Sequence, residues 1–430
     1  MDITMKFYTA LLWVLMACSA TASASALTFE QVWQKVVEHH PLITAANNRL
    51  EAAEFNRRSA GLRPNPRLVF EAENFYGSGE YERAGQAETA FMAEQTFERG
   101  GKREARSRLS SHNKTGQQLE SRRQLRLLRQ EVRRRFNQVL LAQERLRLTE
   151  TQQEIATNNT QTVARLHEAG AATSDDLARA RVQLQSIELA LTRARQQQLS
   201  ASQQLAAQWG DMFNAEVIVA AGPLLFMREE LTVDQVLAPL DIGIDQKIAE
   251  QKIRAQQAEV NLEKANATVD VTLAAGVRRF SATDEYAFTV GASVPLQIFN
   301  NNQADIDSAY AQMRAAQSDA DYLKRKISAE VLAAFRRWQQ ANQALSTLEV
   351  EILPAAKNVL SATRKAYERG SYSYLQVLDA QNSLLQAERQ RLELRADAAD
   401  AMTILERFIE PLAPIDSLSV TSVAPQEITP

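Results

Sequence analysis

Residues 285–299 read EYAFTVGASVPLQIF. Phe288, Val290, Ala292, Val294, Leu296 and Ile298 share one parity, while Thr289, Gly291, Ser293 and Gln297 share the other. Successive side chains of a strand point to opposite faces, so this alternation predicts a strand with one apolar and one polar side. Val269, Val271, Leu273, Ala275 and Val277 alternate likewise against Asp270, Thr272 and Arg278. Earlier, Leu68, Phe70 and Ala72 alternate against Val69, Glu71 and Glu73, and residues 87–98, AETAFMAEQTFE, form a less regular partner. Four strands cannot close a barrel by themselves. Two environments remain open. A soluble sandwich turns the apolar faces inward, whereas a transmembrane barrel turns them to lipid and lines water with the polar faces. Three chains with four strands each would make twelve, within the range of such barrels. Phe75, Tyr76, Phe280, Tyr286 and Phe299 flank the strand zones, as an aromatic girdle would.

Outside the strands the pattern is helical and duplicated. Residues 165–184, RLHEAGAATSDDLARARVQL, are answered by 365–384, KAYERGSYSYLQVLDAQNSL. LTFEQVW at 27–33 returns as LTVDQVL at 231–237, and EVRRRFNQVLLAQ at 131–143 as EVLAAFRRWQQAN at 330–342. The offsets are 200, 204 and 199 residues. A near-constant offset marks an internal duplication, with halves over about 27–225 and 231–411. Thr28 and Thr232 are placed to cap a helix of about 35 residues, each with an acid two positions on. RPNP at 63–66 ends the first of these, because proline cannot continue a helix. Residues 103–168 contain no proline and form a helix of ~100 Å at ~1.5 Å per residue. Leu125, Val132, Val139 and Leu146 are seven apart, as are Leu177, Leu184 and Leu191, and Leu378, Leu385, Leu392 and Ala399. Ala180, Ile187 and Ala194 adjoin the second series. These are coiled-coil seams. Pro354 is expected to kink the second long helix.

Each long helix is broken by a glycine and a short polar turn. Gly170 and Gly370 supply the left-handed backbone of a helix C-terminus. Thr173 or Ser174, and Ser373, then cap the returning helix. The chain thus reads as mainly α with β, in duplicated halves of long antiparallel coiled-coil helices.

Composition narrows the function. The chain has 430 residues, a net charge of -3, one Cys and four His. Near-neutral charge speaks against nucleic acid as the main partner. One Cys excludes an internal disulfide and a Cys-based zinc site. No Ser/His/Asp set, phosphate loop or metal motif stands out, so neither an enzyme nor a bound cofactor is expected. The basic run SRRQLRLLRQEVRRR at 121–135 reads as a solvated helix face. His39-His40 makes a poor metal pair, since adjacent residues do not share a helix face and His40-Pro41 interrupts the helix. Lys6 precedes the apolar FYTALLWVLMA, which marks residues 1–26 as a secretory signal. Ala24-Ser25-Ala26 fits a cleavage site that would release Leu27. Leu15-Met16-Ala17-Cys18 resembles a lipobox, which would remove 1–17 and lipidate Cys18. Residues 412–430 are expected to form a flexible tail.

LTFEQV, RPNPRL, EQTFERGGKR at 94–103, VPLQIFNNNQADI at 294–306 and YERGSYSYLQVLDAQ at 367–381 resemble the TolC family of outer-membrane efflux proteins. The likeness runs from Leu27 to about Pro411. RPNP, ENFYGSG at 73–79 and GGKR at 100–103 most resemble the cobalt–zinc–cadmium resistance branch. The resemblance implies a homotrimer with a twelve-stranded outer-membrane barrel in lipid and a periplasmic helical tunnel. It implies a periplasmic membrane-fusion adaptor and an inner-membrane RND pump as partners, and heavy-metal cations as cargo. It also places the turns at Gly170 and Gly370, with Thr173 and Ser373, at the periplasmic tip, where the tunnel narrows and the adaptor docks. The family's tip latch uses an Asp, a Tyr and an Arg. Asp176 and Tyr367 fall on the first two positions, and Tyr372 stands where the Arg would be, so the same latch cannot form. Asp379 matches one aspartate of a pore ring, and Gln376 occupies the other position. A plainer reading makes Asp176 and Asp379 first-turn acids that complement helix dipoles. Glu71, Glu73 and Glu94 either line the lumen or are solvated strand residues. Drug export and type I protein secretion use the same fold, and a soluble periplasmic coiled-coil adaptor is the rival from another class.

Overall fold

The computed structural model describes residues 26–211, 217–224 and 231–409. The signal segment, Cys18 and the 412–430 tail lie outside the described residues. The chain runs α1 (Phe29–His39), α2 (Pro41–Ala60), β1 (Arg67–Glu73), β2 (Glu88–Phe97), α3 (Lys102–Glu168) and α4 (Ser174–Ala206). It continues with α5 (Val233–Leu237), α6 (Ile244–Asn266), β3 (Val271–Phe280), β4 (Glu285–Ser293), α7 (Gln303–Thr347), α8 (Leu353–Glu368) and α9 (Tyr374–Ile409). Two compact units form. One gathers the described parts of 1–40, 129–229 and 337–403, and the other those of 41–128, 230–336 and 404–430.

Both opening helices start on a capping box. The Thr28 and Thr232 hydroxyls accept the backbone N–H of Gln31 and Gln235, whose side chains return to the cap backbone. Neither helix then runs for 35 residues. The first breaks at His40, in extended backbone before Pro41. The second passes through a 3₁₀ turn over Ala238–Ile242 that holds Pro239. Proline disfavours helical backbone in the residue before it, which accounts for the extended His40, whereas Ala238 stays helical before Pro239.

The second unit contains the sheet, an antiparallel meander in the order β1-β2-β3-β4. Its registers align two rows across all four strands: Phe70–Phe91–Val277–Phe288 and Leu68–Ala93–Ala275–Val290. Phe70 and Phe91 touch, with ring centroids 4.8 Å apart. Among the described residues nothing covers this face: Phe288 is 91% and Val290 83% exposed. The opposite face carries Val69, Glu71, Glu73, Glu88, Glu94, Thr96, Thr272, Arg278 and Thr289. There Arg278 bridges Glu73 at 3.0 Å and Glu88 at 2.7 Å. Two expectations are corrected. The strand begun at Glu285 stops at Ser293, because Pro295 has no N–H to donate to a ladder. Phe280 pairs with Glu88 on the polar side and so does not join the outward aromatics.

α3 is one helix of 67 residues. Val132 and Val139 are fully buried, and α4 buries Ala180, Ile187, Leu191 and Ala194, so the adjoining seam is better covered than Leu177 and Leu184. In the second half a single π turn, Leu348–Ile352, stands directly before Pro354, where a kink was expected. Proline cannot donate to the carbonyl four residues back, and the wider turn absorbs the missing bond.

The basic run at 121–135 is a solvated face only in part: Arg122 and Arg134 are exposed, and the other arginines are half-buried. Ser121, Leu128 and Val132 are buried. Arg129 pairs with Glu30 at 3.2 Å and stacks on Phe29 and Trp33, and Arg133 lies 3.2 Å from the Phe29 ring centroid. Long arginine stems cover the aromatic surface of α1 while their charges find carboxylates and rings.

Candidate functional site

The two glycine turns have nearly the same backbone. Gly170 has φ +72° and Gly370 φ +75°, and a Cβ on either would meet open space. Glycine is favoured there by the left-handed backbone alone. The Ala171 N–H reaches the Leu166 carbonyl at 2.7 Å, and the Ser371 N–H reaches Ala366 at 2.9 Å. These are the closing bonds of a Schellman end, which satisfy carbonyls that the helix leaves orphaned. The returning helices begin at Ser174 and Tyr374, each four residues past its glycine.

The caps differ. In the first turn the Thr173 hydroxyl accepts the Asp176 N–H at 3.1 Å, and the Asp176 carboxylate accepts from Thr173 N–H at 3.1 Å and its hydroxyl at 2.8 Å. In the second, Gln376 Oε1 accepts the Ser373 N–H at 2.9 Å, and the Gln376 N–H turns to the Ser373 carbonyl at 3.1 Å. Asp176 therefore completes a capping box, in line with the plainer reading of it as a first-turn acid. Asp379 and Tyr372 are exposed.

Both turns meet in one apolar cluster within the first unit. Val163, Ala180, Leu360, Tyr374, Val377 and Ala380 form its buried part, with Ala172, Leu177 and Tyr367 packed against them. Tyr367 and Tyr374 lie 5.6 Å apart between ring centroids. Burial pushes the Tyr374 phenol up to about 12, helped by the nearby Tyr367 and Asp176. Burial, and then Asp176, also raise Tyr367, whose buried hydroxyl has no hydrogen-bond partner. Reading the sequence missed Tyr374. The signal was the duplication itself, which sets a large aromatic against the small Ser174. In the first turn His167, which corresponds to Tyr367, instead donates its Nδ1–H to the Ala172 carbonyl at 2.9 Å.

A second arrangement joins strands to helices in the other unit. Gly100, the first glycine of GGKR, has φ +68°, and a Cβ there would lie 2.5 Å from Thr268 Oγ1. Lys102 pairs with Asp270 at 2.9 Å, and the Arg99 N–H donates to the same carboxylate at 3.0 Å. Arg106 holds Glu98 at 2.7 Å and donates to the Ala60 and Leu62 carbonyls at the end of α2. Nothing in the sequence signals Arg106, because its partners come from two segments, the end of α2 and Glu98, that only the fold brings to it.

Glu71, Glu73 and Glu94 all lie on the polar side of the sheet. His39 is exposed and donates to the Lys35 carbonyl, while the half-buried His40 caps α1. Among the described residues, no group of three or more His, Cys, Asp or Glu side chains is arranged to hold a metal ion, and no helix is long and apolar enough to cross a membrane.

Comparison with known proteins agrees with this geometry. The Outer membrane efflux protein model matches residues 32–211 and 246–409. The cobalt-zinc-cadmium resistance protein CzcC of Cupriavidus metallidurans is 28% identical over 389 residues, which cover 90% of this chain and 91% of the relative. The nickel-cobalt-cadmium resistance protein NccC of Alcaligenes xylosoxydans xylosoxydans is 27% identical, over 74% of this chain and 71% of its own length. Among solved structures, CusC superposes with a TM-score of 0.74 at 18% identity, covering 89% of this chain and 92% of that one. VceC of Vibrio cholerae gives 0.73 at 17% identity, covering 89% and 95%. The chain belongs to the outer membrane efflux protein family, the TolC-type channels of the outer membrane.

Proposed function

We propose that this protein is the outer-membrane channel of a tripartite pump that exports divalent heavy-metal cations. The observation that carries the channel is the sheet. A four-stranded meander with two uncovered apolar rows running across one face has no stable place in water. Three copies, paired edge to edge, would close twelve strands around a polar lumen and remove every open edge. The soluble-adaptor reading leaves that face without a purpose. The cargo rests on the relatives, whose names specify cobalt, zinc, cadmium and nickel resistance. The periplasmic adaptor and the inner-membrane pump follow from the tripartite reading, and the Gly170 and Gly370 turns are the proposed docking tip. Asp176, Tyr367, Tyr372 and Asp379 are the proposed constriction. Within it Asp379 is the free carboxylate and Asp176 serves its own helix.

Two measurements test this. Deletion of the gene should sensitise its host to zinc, cobalt and cadmium, and mass measurement in detergent should give three chains. Unchanged metal tolerance with new drug sensitivity, or a lost secreted protein, would reassign the cargo. A monomer that stays soluble without detergent would end the channel reading.

A further inference from the structure

The expected strand continues past Ser293 as an exposed apolar turn. Leu296 is 79%, Ile298 73% and Phe299 101% exposed. The turn is held in place nonetheless. Ser293 is registered with Thr272 of β3 at one end. At the other end the Asn302 amide donates to the Glu263 carbonyl at 2.8 Å and to its carboxylate at 2.7 Å. Between them the Ile298 N–H reaches the Leu296 carbonyl at 3.0 Å, and the Asn302 N–H reaches the Asn300 side chain at 2.9 Å. An ordered segment therefore presents three large apolar side chains to the outside. The corresponding junction of the first half is built differently, since there Phe97 is followed by the Glu98–Arg106 pair.

We propose that Leu296, Ile298 and Phe299 form an interfacial anchor in the lipid of the periplasmic leaflet of the outer membrane. The inference rests on the barrel reading above and extends it. Three arguments select lipid as the occupant. First, the turn continues the uncovered apolar row of β4, directly after Phe288, Val290 and Ala292 on the edge strand. Second, β4 has nine residues. At ~3.3 Å per residue and a tilt of about 40° they rise roughly 23 Å, against an apolar band of about 25 Å. The residues that follow therefore fall at the headgroup boundary, where aromatic and aliphatic side chains anchor barrels. Third, pairing of β4 with a second copy consumes backbone N–H and C=O groups and leaves outward side chains outward. The amides of Asn300, Asn301 and Asn302 follow at once, as a return to water requires.

The test uses the full-length trimer in phospholipid vesicles, with single cysteines introduced as Phe299→Cys, Ile298→Cys, Asn301→Cys and Val290→Cys. On either reading of the leader, Cys18 leaves no free thiol. Each cysteine carries a nitroxide, and collisions with oxygen and with a water-soluble nickel chelate are compared. The expected oxygen-to-nickel ratio at 298 and 299 exceeds that at 301 several-fold and approaches that at 290. A ratio at 299 equal to that at 301 would place the turn in water and overturn the proposal. Protection at 299 from both reagents would seat it on a second copy, which overturns it equally. Position 290 separates the two readings: a lipid-exposed 290 beside a wet 299 removes the anchor and spares the barrel, whereas a wet 290 removes both. Trimer mass is checked for every variant, and two adjacent anchor positions guard against one that assembles poorly.

Discussion

The sheet and the glycine turns obey opposite rules. In the sheet, two rows run across all four strands with apolar residues of different size, Phe70, Phe91, Val277 and Phe288 in one of them. What is kept is the face on which each side chain falls. In the turns, what is kept is a backbone. Gly170 and Gly370 agree within 3° in φ, and the helices resume at the same spacing, yet His167 faces Tyr367, Ala172 faces Tyr372 and Asp176 faces Gln376 in the duplication. A lipid-facing strand is selected by the solvent around it, so any apolar side chain of the right parity serves. A tight reversal of two long helices is selected by local sterics, so one residue is restricted and its neighbours are free to diverge. Those divergent neighbours are where docking and gating chemistry is proposed to sit.

The sharpest way to break the comparison is in the sheet. Val290→Arg should cost about 2–4 kcal/mol near mid-membrane and reduce outer-membrane insertion, whereas Thr289→Arg on the polar face should be tolerated. Equal damage at both positions, read as trimer yield in the outer membrane, would mean that parity does not govern the sheet.

The next largest effect belongs to the turns. Gly170→Ala or Gly370→Ala should cost about 1–2 kcal/mol, because the left-handed conformation strains any residue with a Cβ although the space is open. Gly170→Val should cost more. The sheet belongs to the other compact unit, so insertion should survive while adaptor capture and export fall. An unaffected adaptor interaction would remove the docking assignment.

Smaller effects distinguish the two turns. Thr173→Ala should weaken the start of α4 by about 1 kcal/mol, since the Asp176 N–H loses its acceptor. Ser373→Ala should cost only a few tenths, because the Gln376 N–H already uses a backbone carbonyl. Amide exchange in the first turns of α4 and α9 reads the difference, and equal losses would show the caps to be equivalent.

Alkali should act on the second turn. Tyr374 is raised from 10.0 to about 12. Below pH 10 its proton is present in folded and unfolded chains alike, and its contribution is intact. As pH climbs from 10 towards 12 the unfolded chain loses the proton first, so stability drains away. Amide protection near Tyr374 should fall in that window, and Tyr374→Phe should abolish this component. Identical alkaline profiles in the two proteins would assign the loss elsewhere.

Asp379→Asn should have the least effect on stability. The carboxylate is exposed, and its change to an amide preserves shape. Single-channel recordings should nonetheless show reduced cation preference if three copies line the pore. Unchanged selectivity would leave Asp379 as a helix-dipole acid.

Wherever one residue or a fixed period carries the signal, the sequence by itself determined the outcome. Alternation from Phe288 to Ala292 set the apolar face, Gly170 and Gly370 set the reversals, and Pro354 marked where the second long helix widens into a π turn. Where partners are far apart in the chain, only the tertiary structure decided. It closed Arg106 onto Glu98 and the end of α2, brought Thr268 against Gly100, and set Tyr374 among Tyr367, Leu360 and Ala180. It also laid Arg129 and Arg133, from a run that reads as solvated, over Phe29 and Trp33. The physical reason is common to all of these. Backbone sterics and side-chain parity are local and leave a periodic trace in the sequence, whereas burial and charge pairing depend on which segments meet in space and leave none.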